Sequence, residues 1–475
     1  MARLDRVTLF THRVDERRKP DHDEYPTYHA SITQEGDGAG RWLSRMLATV
    51  RHCLRSALLA LPFLCCTRGD PAARGTFCSL PGSVVFTAQG RSLVPGGLVM
   101  PDLTWLHVPS GFCAHYFATV ATARQLKFAP NGDLFVASPT RLTTGGANNG
   151  IAGIVVLADD DRDGVADANV TFLDELPATQ GLMFGGGSLY YQDDATVRRV
   201  PYRTGDRRPS GTSELVTTIT APQAIEHWPK VLDTAKDGTI YISNGSGQGE
   251  ECSSKRTPFG GIFRLNADNS TSPVTMGFRN PIALGCEKDH DVCLAVELAL
   301  DYSANQGGRE KIAPVRQGDG WGYPCCATRD LPYGGAVYSD TQAVPDCSRV
   351  AAENASFVIG HTPFGIDFET GKWPAPWTHR ALVTLHGDAG SWNGARVVAI
   401  ALDPSTGVPL PATELDGGLA DPANMLEFAS GWDDQLQDHG RPAPVAFAAD
   451  GRLFLGDDQL GAILWIAPNE LMMQP

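Results

Sequence analysis

The stretch Leu126–Ser138, "LKFAPNGDLFVAS", contains two short apolar runs joined by an Asn-Gly-Asp turn. Asn-Gly between alternating apolar residues is a strong local indication of a β-hairpin. The second run is rich in Leu, Phe and Val, which suit a half-buried pleated surface. The stretch therefore predicts a pair of antiparallel strands.

The same pattern recurs five more times along the chain. The copies read, in order, "LMFGGGSLYYQ" from Leu182, "VLDTAKDGTIYIS" from Val231, "IALGCEKDHDVCLAVE" from Ile282, "GIDFETGKWPAPWTHRALVTLHG" from Gly365 and "VAFAADGRLFLGDD" from Val445. Their turn positions, including the first, are Gly132, Gly187, Gly238, Asp289, Gly371 and Gly451, separated by 55, 51, 51, 82 and 80 residues. Repeats of about 50 residues with several strands each are typical of propeller blades. The sequence therefore predicts an all-β fold, a six-bladed β-propeller with four-stranded antiparallel blades and loop insertions in the two wide intervals.

The composition is that of a globular protein rich in turns. The 475 residues include 51 Gly and 33 Pro, and 42% are hydrophobic. The formal net charge of −15 argues against nucleic acid or an anionic membrane as the main partner. No long run has helical periodicity, which argues against α/β folds.

The N-terminal part differs from the rest of the chain. Residues 46–66 read "MLATVRHCLRSALLALPFLCC", in which Arg51 and Arg55 precede an apolar run of 11 residues. That run is too short to span a bilayer but suits a secretory signal peptide, although a buried helix is the alternative. We predict a polar extension over 1–45, a signal peptide over 46–66, a linker over 67–105 and the propeller over 106–470. The protein is then periplasmic or secreted, without a membrane span.

The cysteines agree with export. Eight of the eleven lie after the predicted signal, namely Cys78, Cys113, Cys252, Cys286, Cys293, Cys325, Cys326 and Cys347. An even number in an exported chain predicts disulfides, with connectivity open. Cys286 and Cys293 flank a predicted turn and are the easiest pair to join.

An acidic stretch, "LADDDRDGVAD", predicts a bound cation. Asp159, Asp161 and Asp163 alternate and are followed by a glycine and by Asp167. Carboxylates at alternate positions around a sharp turn surround Ca²⁺ with oxygen ligands. The loop resembles the start of an EF-hand but lacks its glutamate at the twelfth position. A structural calcium site is one interpretation, and a solvated acidic turn is the other.

Six further motifs, in order, connect the chain to a known family. They are "VPSGF" at 108–112, "GFRNPIAL" at 277–284, "GDGWGYP" at 318–324, "HTPFGIDF" at 361–368, "HGDAGSWNG" at 386–394 and "GRPAPVAFAADGRLFLGDD" at 440–458. Together they cover most of the chain and resemble the soluble quinoprotein sugar dehydrogenases of the glucose/sorbosone dehydrogenase family, most of all its sorbosone branch. The resemblance implies a six-bladed propeller, which the repeats support independently.

The resemblance also implies a chemistry. Enzymes of this family hold pyrroloquinoline quinone (PQQ) at the propeller axis and pass hydride to it from the anomeric carbon of a sugar. His227 has the placement of the family's general base, with Glu226 before it, and the alternative is a histidine packed against Trp228. The family's cofactor has three carboxylates, which arginine matches well.

The implied cofactor residues are Arg124, Arg279, Asn280 and Arg441. The alternative for each arginine is a surface loop residue that caps backbone carbonyls. The implied partners are a small sugar substrate and an external electron acceptor of unknown identity.

The chain departs from the family at two places. The segment 296–313, "VELALDYSANQGGREKIA", keeps Glu297 but lacks the following Asn-Gly, and Glu310 is only a rough partner for the cofactor's calcium. A lysine common in the family is replaced near Asn393, although Arg396 is close. These departures favour a second hypothesis, a non-catalytic propeller that binds carbohydrate or protein. A third, a calcium-dependent hydrolase such as a lactonase, has only Asn148 and Asn149 in its favour.

Overall fold

The described part of the chain is built from β-sheet and one short 3-10 helix, Phe77–Ser79. The structure is a computed structural model, and it describes residues 75–97, 101–141, 148–219, 227–247, 252, 260–299, 309–333, 346–352, 355–388, 393–410, 425–433 and 439–473. No helix among these residues is long and apolar enough to cross a bilayer.

Six antiparallel sheets form the blades, and each is described from its innermost strand outwards. Blade one contains β4 Gln125–Phe128, β5 Leu134–Ser138, β6 Gly153–Ala158 and β7 Ala168–Leu173. Blade two contains β8 Leu182–Gly185, β9 Ser188–Asp193, β10 Thr196–Pro201 and β11 Glu214–Thr218. Blade three contains β12 Leu232–Thr234, β13 Ile240–Asn244, β14 Gly261–Leu265 and β15 Thr271–Met276.

The second half of the ring has the same order. Blade four contains β16 Asn280–Glu287, β17 Val292–Leu298, β18 Arg309–Pro314 and β21 Ala355–Val358, with an inserted pair, β19 Cys326–Thr328 and β20 Leu331–Pro332. Blade five contains β22 Pro363–Phe368, β23 Arg380–Leu385, β24 Arg396–Ala401 and β25 Leu426–Ala429. Blade six contains β26 Pro442–Phe447, β27 Leu453–Asp457, β28 Ala462–Pro468 and β3 Phe112–Thr119.

This architecture confirms the predicted six-bladed propeller. In the first repeat Leu126 pairs with Val136 and Phe128 with Leu134, so "LKFAPNGDLFVAS" is a hairpin. All six predicted turns join an innermost strand to its neighbour. The innermost strands contact one another in sequence, and β26 contacts β4, which closes the ring.

Blade six joins the two ends of the domain. Its outer strand β3 comes from the start of the domain and pairs with β28, with His115 opposite Trp465. Two more strands, β1 Val84–Thr87 and β2 Gly90–Leu93, extend the same sheet. They lie within 67–105, the span predicted from the sequence to be a linker. The alternating pattern of this short hairpin is weak, because β2 is fully exposed.

All eight predicted cysteines form disulfides. The pairs are Cys78–Cys113, Cys252–Cys325, Cys286–Cys293 and Cys326–Cys347. Cys286 and Cys293 face each other on β16 and β17, which confirms the pair expected from the turn. Four disulfides agree with an oxidising compartment.

The apolar core is divided into six main clusters, one between each pair of neighbouring blades. The cluster between blades six and one, for example, packs Phe454 and Trp465 against Leu134 and Val136. Each blade therefore buries both faces, which explains why β5, β6 and β27 are apolar on consecutive positions and do not alternate.

Charged side chains on the innermost strands also connect the blades. Lys127 Nζ lies 3.3 Å from Asp233 Oδ1, and the backbone N–H of Cys286 in the next blade donates to Asp233 Oδ2 at 2.9 Å. Asp367 accepts in the same way from the N–H of Phe447, at 2.7 Å. Buried carboxylates are thus paired with the backbone of a neighbouring blade.

Candidate functional site

The innermost strands all run in the same direction, because every blade repeats the same order of strands. They therefore begin at one face of the ring, here called the upper face. The residues just before β4, β16 and β26 are Arg124, Arg279 and Arg441. The structure thus places the three predicted arginines at one face, at the ends of three different blades.

His227 lies on the approach to β12 at this face and is buried. Its Nδ1 lies 2.8 Å from the carbonyl oxygen of Ser246, which can only accept a hydrogen bond. Nδ1 therefore carries the proton, and Nε2 carries the lone pair. The Ser246 carbonyl fixes the tautomer that a general base needs.

Asn280 lies beside His227, and Gly245 makes this proximity possible. A Cβ atom on Gly245 would lie 2.4 Å from the Cβ of His227 and 3.0 Å from Oδ1 of Asn280. Any side chain at this position would separate the two residues. The structure therefore brings together two of the residues predicted from the family motifs.

Burial, and then the positive charge of Arg279, lowers the pKa of His227 to about 4. The imidazole is neutral at pH 7 and can accept a proton. A polyanion bound beside Arg279 would offset that positive charge and raise the basicity of His227.

Arg279 is held by a buried ion pair. Its backbone N–H donates to Glu297 Oε1 at 2.7 Å, and its Nη1 donates to the carbonyl of Ala299 at 2.9 Å. The other carboxylate oxygen of Glu297 accepts from Lys311 Nζ at 3.1 Å, and both side chains have 0% exposure. Glu297 is therefore engaged by Lys311 and the Arg279 backbone, which does not favour its role as a calcium ligand.

A second charged cluster joins blades one, five and six. Arg124 Nε lies 3.0 Å from Asp458 Oδ2, and His386 Nε2 lies 2.9 Å from Asp458 Oδ1. Arg441 donates from Nε and Nη2 to the carbonyls of His386 and Gly387, both at 3.0 Å. Burial alone would raise the pKa of Asp458, but His386 and both arginines outweigh it and hold this pKa below its ordinary value.

Sequence reasoning missed His386 and Asp458. Both lie in quoted motifs, "HGDAGSWNG" and "GRPAPVAFAADGRLFLGDD", and both follow directly on the end of a second blade strand. A polar residue at that position of a blade is the signal that would have found them. Burial, and then Arg441, lowers the pKa of His386 to about 4.

Several buried polar atoms at the upper face lack a hydrogen-bond partner among the described residues. They are Oε1 and Nε2 of Gln180, Nε1 of Trp228, Oγ of Ser246 and Oδ1 of Asn280. Unsatisfied buried polar groups are rare in native proteins and indicate a missing ligand, ion or water. These atoms supply donors from Gln180, Trp228 and Ser246 and acceptors from Gln180 and Asn280, which fits a planar, oxygen-rich ligand.

The predicted calcium loop lies at the opposite face, after the end of β6. Oxygens of Asp159, Asp161 and Asp167 come within 4.8 Å of one another. Asp163 is not in this group, and its Oδ1 accepts the N–H of Val165 at 2.9 Å. Burial raises the pKa of Asp159 to about 6, and a bound cation would favour its charged form instead. A cation here would stabilise the turn after β6. It would lie at the face opposite His227 and would not contact that site.

Other predicted residues have local roles or lie outside the described residues. Glu226 and most of the loop between Glu297 and Glu310 are among the latter. Glu310 Oε2 accepts the backbone N–H of Thr362 at 2.6 Å. Asn148 Oδ1 accepts the N–H of Gly150 at 2.8 Å within its own loop, which gives no support to a hydrolase site there.

Comparison with known proteins supports the fold. A family model described as "Domain of unknown function (DUF7133)" matches residues 101–293, and no curated protein matches. An iodide structure of Trichoderma reesei Carbohydrate-Active Enzymes Family AA12 is 18% identical, with 78% of this chain and 99% of that chain covered and a TM-score of 0.60. The PQQ domain of pyranose dehydrogenase from Coprinopsis cinerea, in its holo form, is 15% identical, with 76% and 96% covered and a TM-score of 0.59.

A third similar structure is the apo form of the soluble aldose sugar dehydrogenase from Escherichia coli. It is 11% identical, with 75% of this chain and 99% of that chain covered and a TM-score of 0.54. At these identities the likeness establishes the six-bladed fold.

Proposed function

We propose that the protein is an exported oxidoreductase that oxidises the anomeric hydroxyl of an aldose or related sugar. The observation that carries the proposal is His227, a neutral imidazole with a fixed tautomer, next to Asn280 and Arg279 at the propeller axis. The family motifs support the same reaction class, as do the similar folds of pyranose dehydrogenase and aldose sugar dehydrogenase. Fold alone would not, because one fold serves many functions.

The residues around His227 fit PQQ. Arg279 would bind a carboxylate, while Gln180, Trp228 and Ser246 offer hydrogen-bond donors for the remaining oxygens. Asn280 would provide a neutral polar contact. The family resemblance also assigns Arg124 and Arg441 to the cofactor. They would contribute positive charge from the side of the site opposite Arg279, where Asp458 and His386 hold them in place. When bound, PQQ would supply the two-electron acceptor for the sugar's anomeric C–H.

The chain itself contributes proton transfer and orientation. His227 Nε2 takes the proton of the anomeric hydroxyl as the C–H bond breaks, so that a full alkoxide never forms. The Ser246 carbonyl stabilises the imidazolium that results, since it keeps its hydrogen bond from Nδ1. Only 6% of His227 is exposed, which limits competition from water at the site.

The test of this proposal begins with cofactor binding. The purified protein is titrated with PQQ, with and without Ca²⁺, and binding is followed by the absorbance of the quinone. Aldoses and an artificial dye acceptor are then added. We expect saturable binding and sugar-dependent dye reduction. Binding of PQQ without dye reduction by any aldose would contradict the assigned substrate class.

A pH profile tests the electrostatics of His227. We expect kcat/KM to fall as the pH drops below neutral, because the protonated imidazole cannot accept a proton; with the anionic cofactor beside Arg279 the midpoint should lie above the value of about 4 that burial and Arg279 alone set. Arg279→Gln removes a positive charge that disfavours the imidazolium, so the acidic limb should move to higher pH by about 1 unit. An acidic limb that stays in place in this variant would mean that another group titrates.

A non-catalytic binding module is the second candidate function. The observation that favours it is that Arg124 and Arg441 already have protein partners in Asp458 and two backbone carbonyls. Failure of the protein to bind PQQ at any calcium concentration would support this candidate over the enzyme.

Calcium at the Asp159, Asp161 and Asp167 group remains a prediction, with stability as its readout. Ca²⁺ at a hundredfold excess over its Kd should stabilise the fold by about 2.7 kcal/mol, seen as a rise in Tm that a chelator reverses. Asp161→Asn should abolish the rise. Asp163→Asn is the matched control, because Asp163 lies outside the group, and an equal loss in both variants would contradict this ligand set.

A further inference from the structure

A cavity of about 310 Å³ lies at the upper face beside blade six, away from the axis. Residues 101–105 form one wall, and the upper ends of β27 and β28 form another. The lining is mainly apolar and includes Leu103, Trp105, Trp432, Leu455 and Leu464. A concave apolar site with few polar groups is the usual form of a small-molecule pocket.

Asp457 supplies a buried polar group to this cavity. The side chain is 5% exposed, and its Oδ1 accepts the backbone N–H groups of Gln459 and Leu460 at 3.0 and 2.8 Å. Its Oδ2 has no hydrogen-bond partner in the described part of the chain. Gly440 keeps this arrangement open, because its φ is +72° and a Cβ there would lie 2.2 Å from both carboxylate oxygens.

Burial favours the neutral, protonated form of Asp457, which can donate a hydrogen bond. Burial raises its pKa to about 8, and the charge of the adjacent Asp458 adds to the effect. Since Oδ1 receives two N–H groups, the proton belongs on Oδ2, the oxygen without a partner. A buried neutral acid can donate a strong hydrogen bond to an oxygen of a ligand.

The other ionisable groups around the cavity are engaged. Asp102 accepts from both the N–H and the hydroxyl of Thr104, at 2.8 Å each. The ring of His439 stacks on Trp105, with centroids 4.3 Å apart. The described lining contains no Lys or Arg side chain. Among the described lining residues, Asp457 is thus the buried carboxyl group with an oxygen that has no hydrogen-bond partner, set within mainly apolar walls.

We propose that this cavity binds a small ring-shaped carbonyl compound of the quinone class, with a carbonyl oxygen accepting a hydrogen bond from Asp457. A flat apolar ring matches the two tryptophans and the leucines, and the carbonyl would satisfy Oδ2 of Asp457, the buried polar atom of the described lining that has no hydrogen-bond partner. A sugar would leave most of its hydroxyl groups without partners against these walls.

The position of the cavity suggests a use for such a ligand, which rests on the proposed function. Asp458, the next residue, contacts Arg124 and His386 of the axial cluster. A quinone in the cavity is then the external electron acceptor. The sugar loses two electrons and two protons to become a lactone, and the quinone gains them to become a hydroquinone.

Calorimetric titration of the full chain with duroquinone tests the site without PQQ or sugar, so its result does not depend on the proposed function. We expect one-to-one binding. Asp457→Leu should weaken it at least tenfold, whereas Asp457→Asn, which keeps an acceptor for the two N–H groups and a donor for the ligand, should stay within about threefold of wild type. Binding to wild type should also weaken above pH 8, as Asp457 ionises, but not in Asp457→Asn.

A second variant guards against misfolding of Asp457→Leu. Ala462 lines the cavity, and Ala462→Phe should fill it and abolish binding while Asp457 is unchanged. The proposal is overturned if duroquinone does not bind, if it binds Ala462→Phe as tightly as wild type, or if cyclohexylammonium binds more tightly than duroquinone, which would indicate a cation site.

Discussion

Replacement of His227 by alanine is expected to lower kcat/KM for sugar oxidation by about 10²–10⁴-fold, the usual contribution of a general base. The physical reason is that Nε2 is the lone pair oriented by the Ser246 carbonyl, and alanine offers no acceptor for the hydroxyl proton. PQQ affinity should change little, because Arg279 and the donors of Gln180, Trp228 and Ser246 remain. Steady-state dye reduction and an equilibrium PQQ titration measure the two effects separately.

His290→Ala is the matched control for His227→Ala. His290 lies in the hairpin between β16 and β17 at the lower face, where it contacts Glu287 and the carbonyl of Pro404. Its removal should leave kcat/KM unchanged. Wild-type activity of His227→Ala, together with inactivity of His386→Ala, would instead assign the base to the His386–Asp458 pair.

Replacement of Lys311 by methionine is expected to destabilise the protein by about 3–5 kcal/mol, because it leaves the carboxylate of Glu297 buried without its cation. Both side chains have 0% exposure, so water cannot compensate. Glu297 also accepts the Arg279 N–H, so loosening of this pair should disturb the axial site as well. Urea denaturation with the disulfides intact measures the loss.

Two further variants test whether the loss of stability comes from the unpaired buried charge of Glu297. Glu297→Gln combined with Lys311→Met keeps an acceptor for the Arg279 N–H and removes both charges, so most of the stability should return. Arg199→Ala breaks the exposed pair between Arg199 and Glu214, 3.0 Å apart, and should cost at most about 1 kcal/mol. Equal losses in Lys311→Met and Arg199→Ala would contradict the special role of the buried pair.

The blades were predictable because their signal is local. Each hairpin is specified by a turn residue between two apolar runs, as Gly132 and Gly451 show, and six such units have only one simple arrangement. The disulfide between Cys286 and Cys293 was predictable for the same reason, since the two cysteines flank one turn. Strands β1 and β2 were missed because β2 is exposed at every residue, so that only the short strand β1 has a buried apolar face.

The site was predictable only in part. The family resemblance predicts His227, Asn280 and the three arginines, and the strand order places them at one face because each lies at or just before the start of an innermost strand. The partners of those residues did not follow from the sequence. Asp458 joins Arg124 to His386 across three blades, and Lys311 neutralises Glu297 from a neighbouring strand.

The sequence by itself determined the number of blades and the pairing within each hairpin. It also determined the face of the ring at which the polar residues before the innermost strands lie. These depend on contacts between residues near in the chain, which turn chemistry and apolar spacing specify. Only the tertiary structure decided which charges meet, which polar atoms stay without partners, and that the acidic loop lies at the face opposite His227. Those depend on ring closure, which brings together residues hundreds of positions apart, and no local pattern encodes such distances.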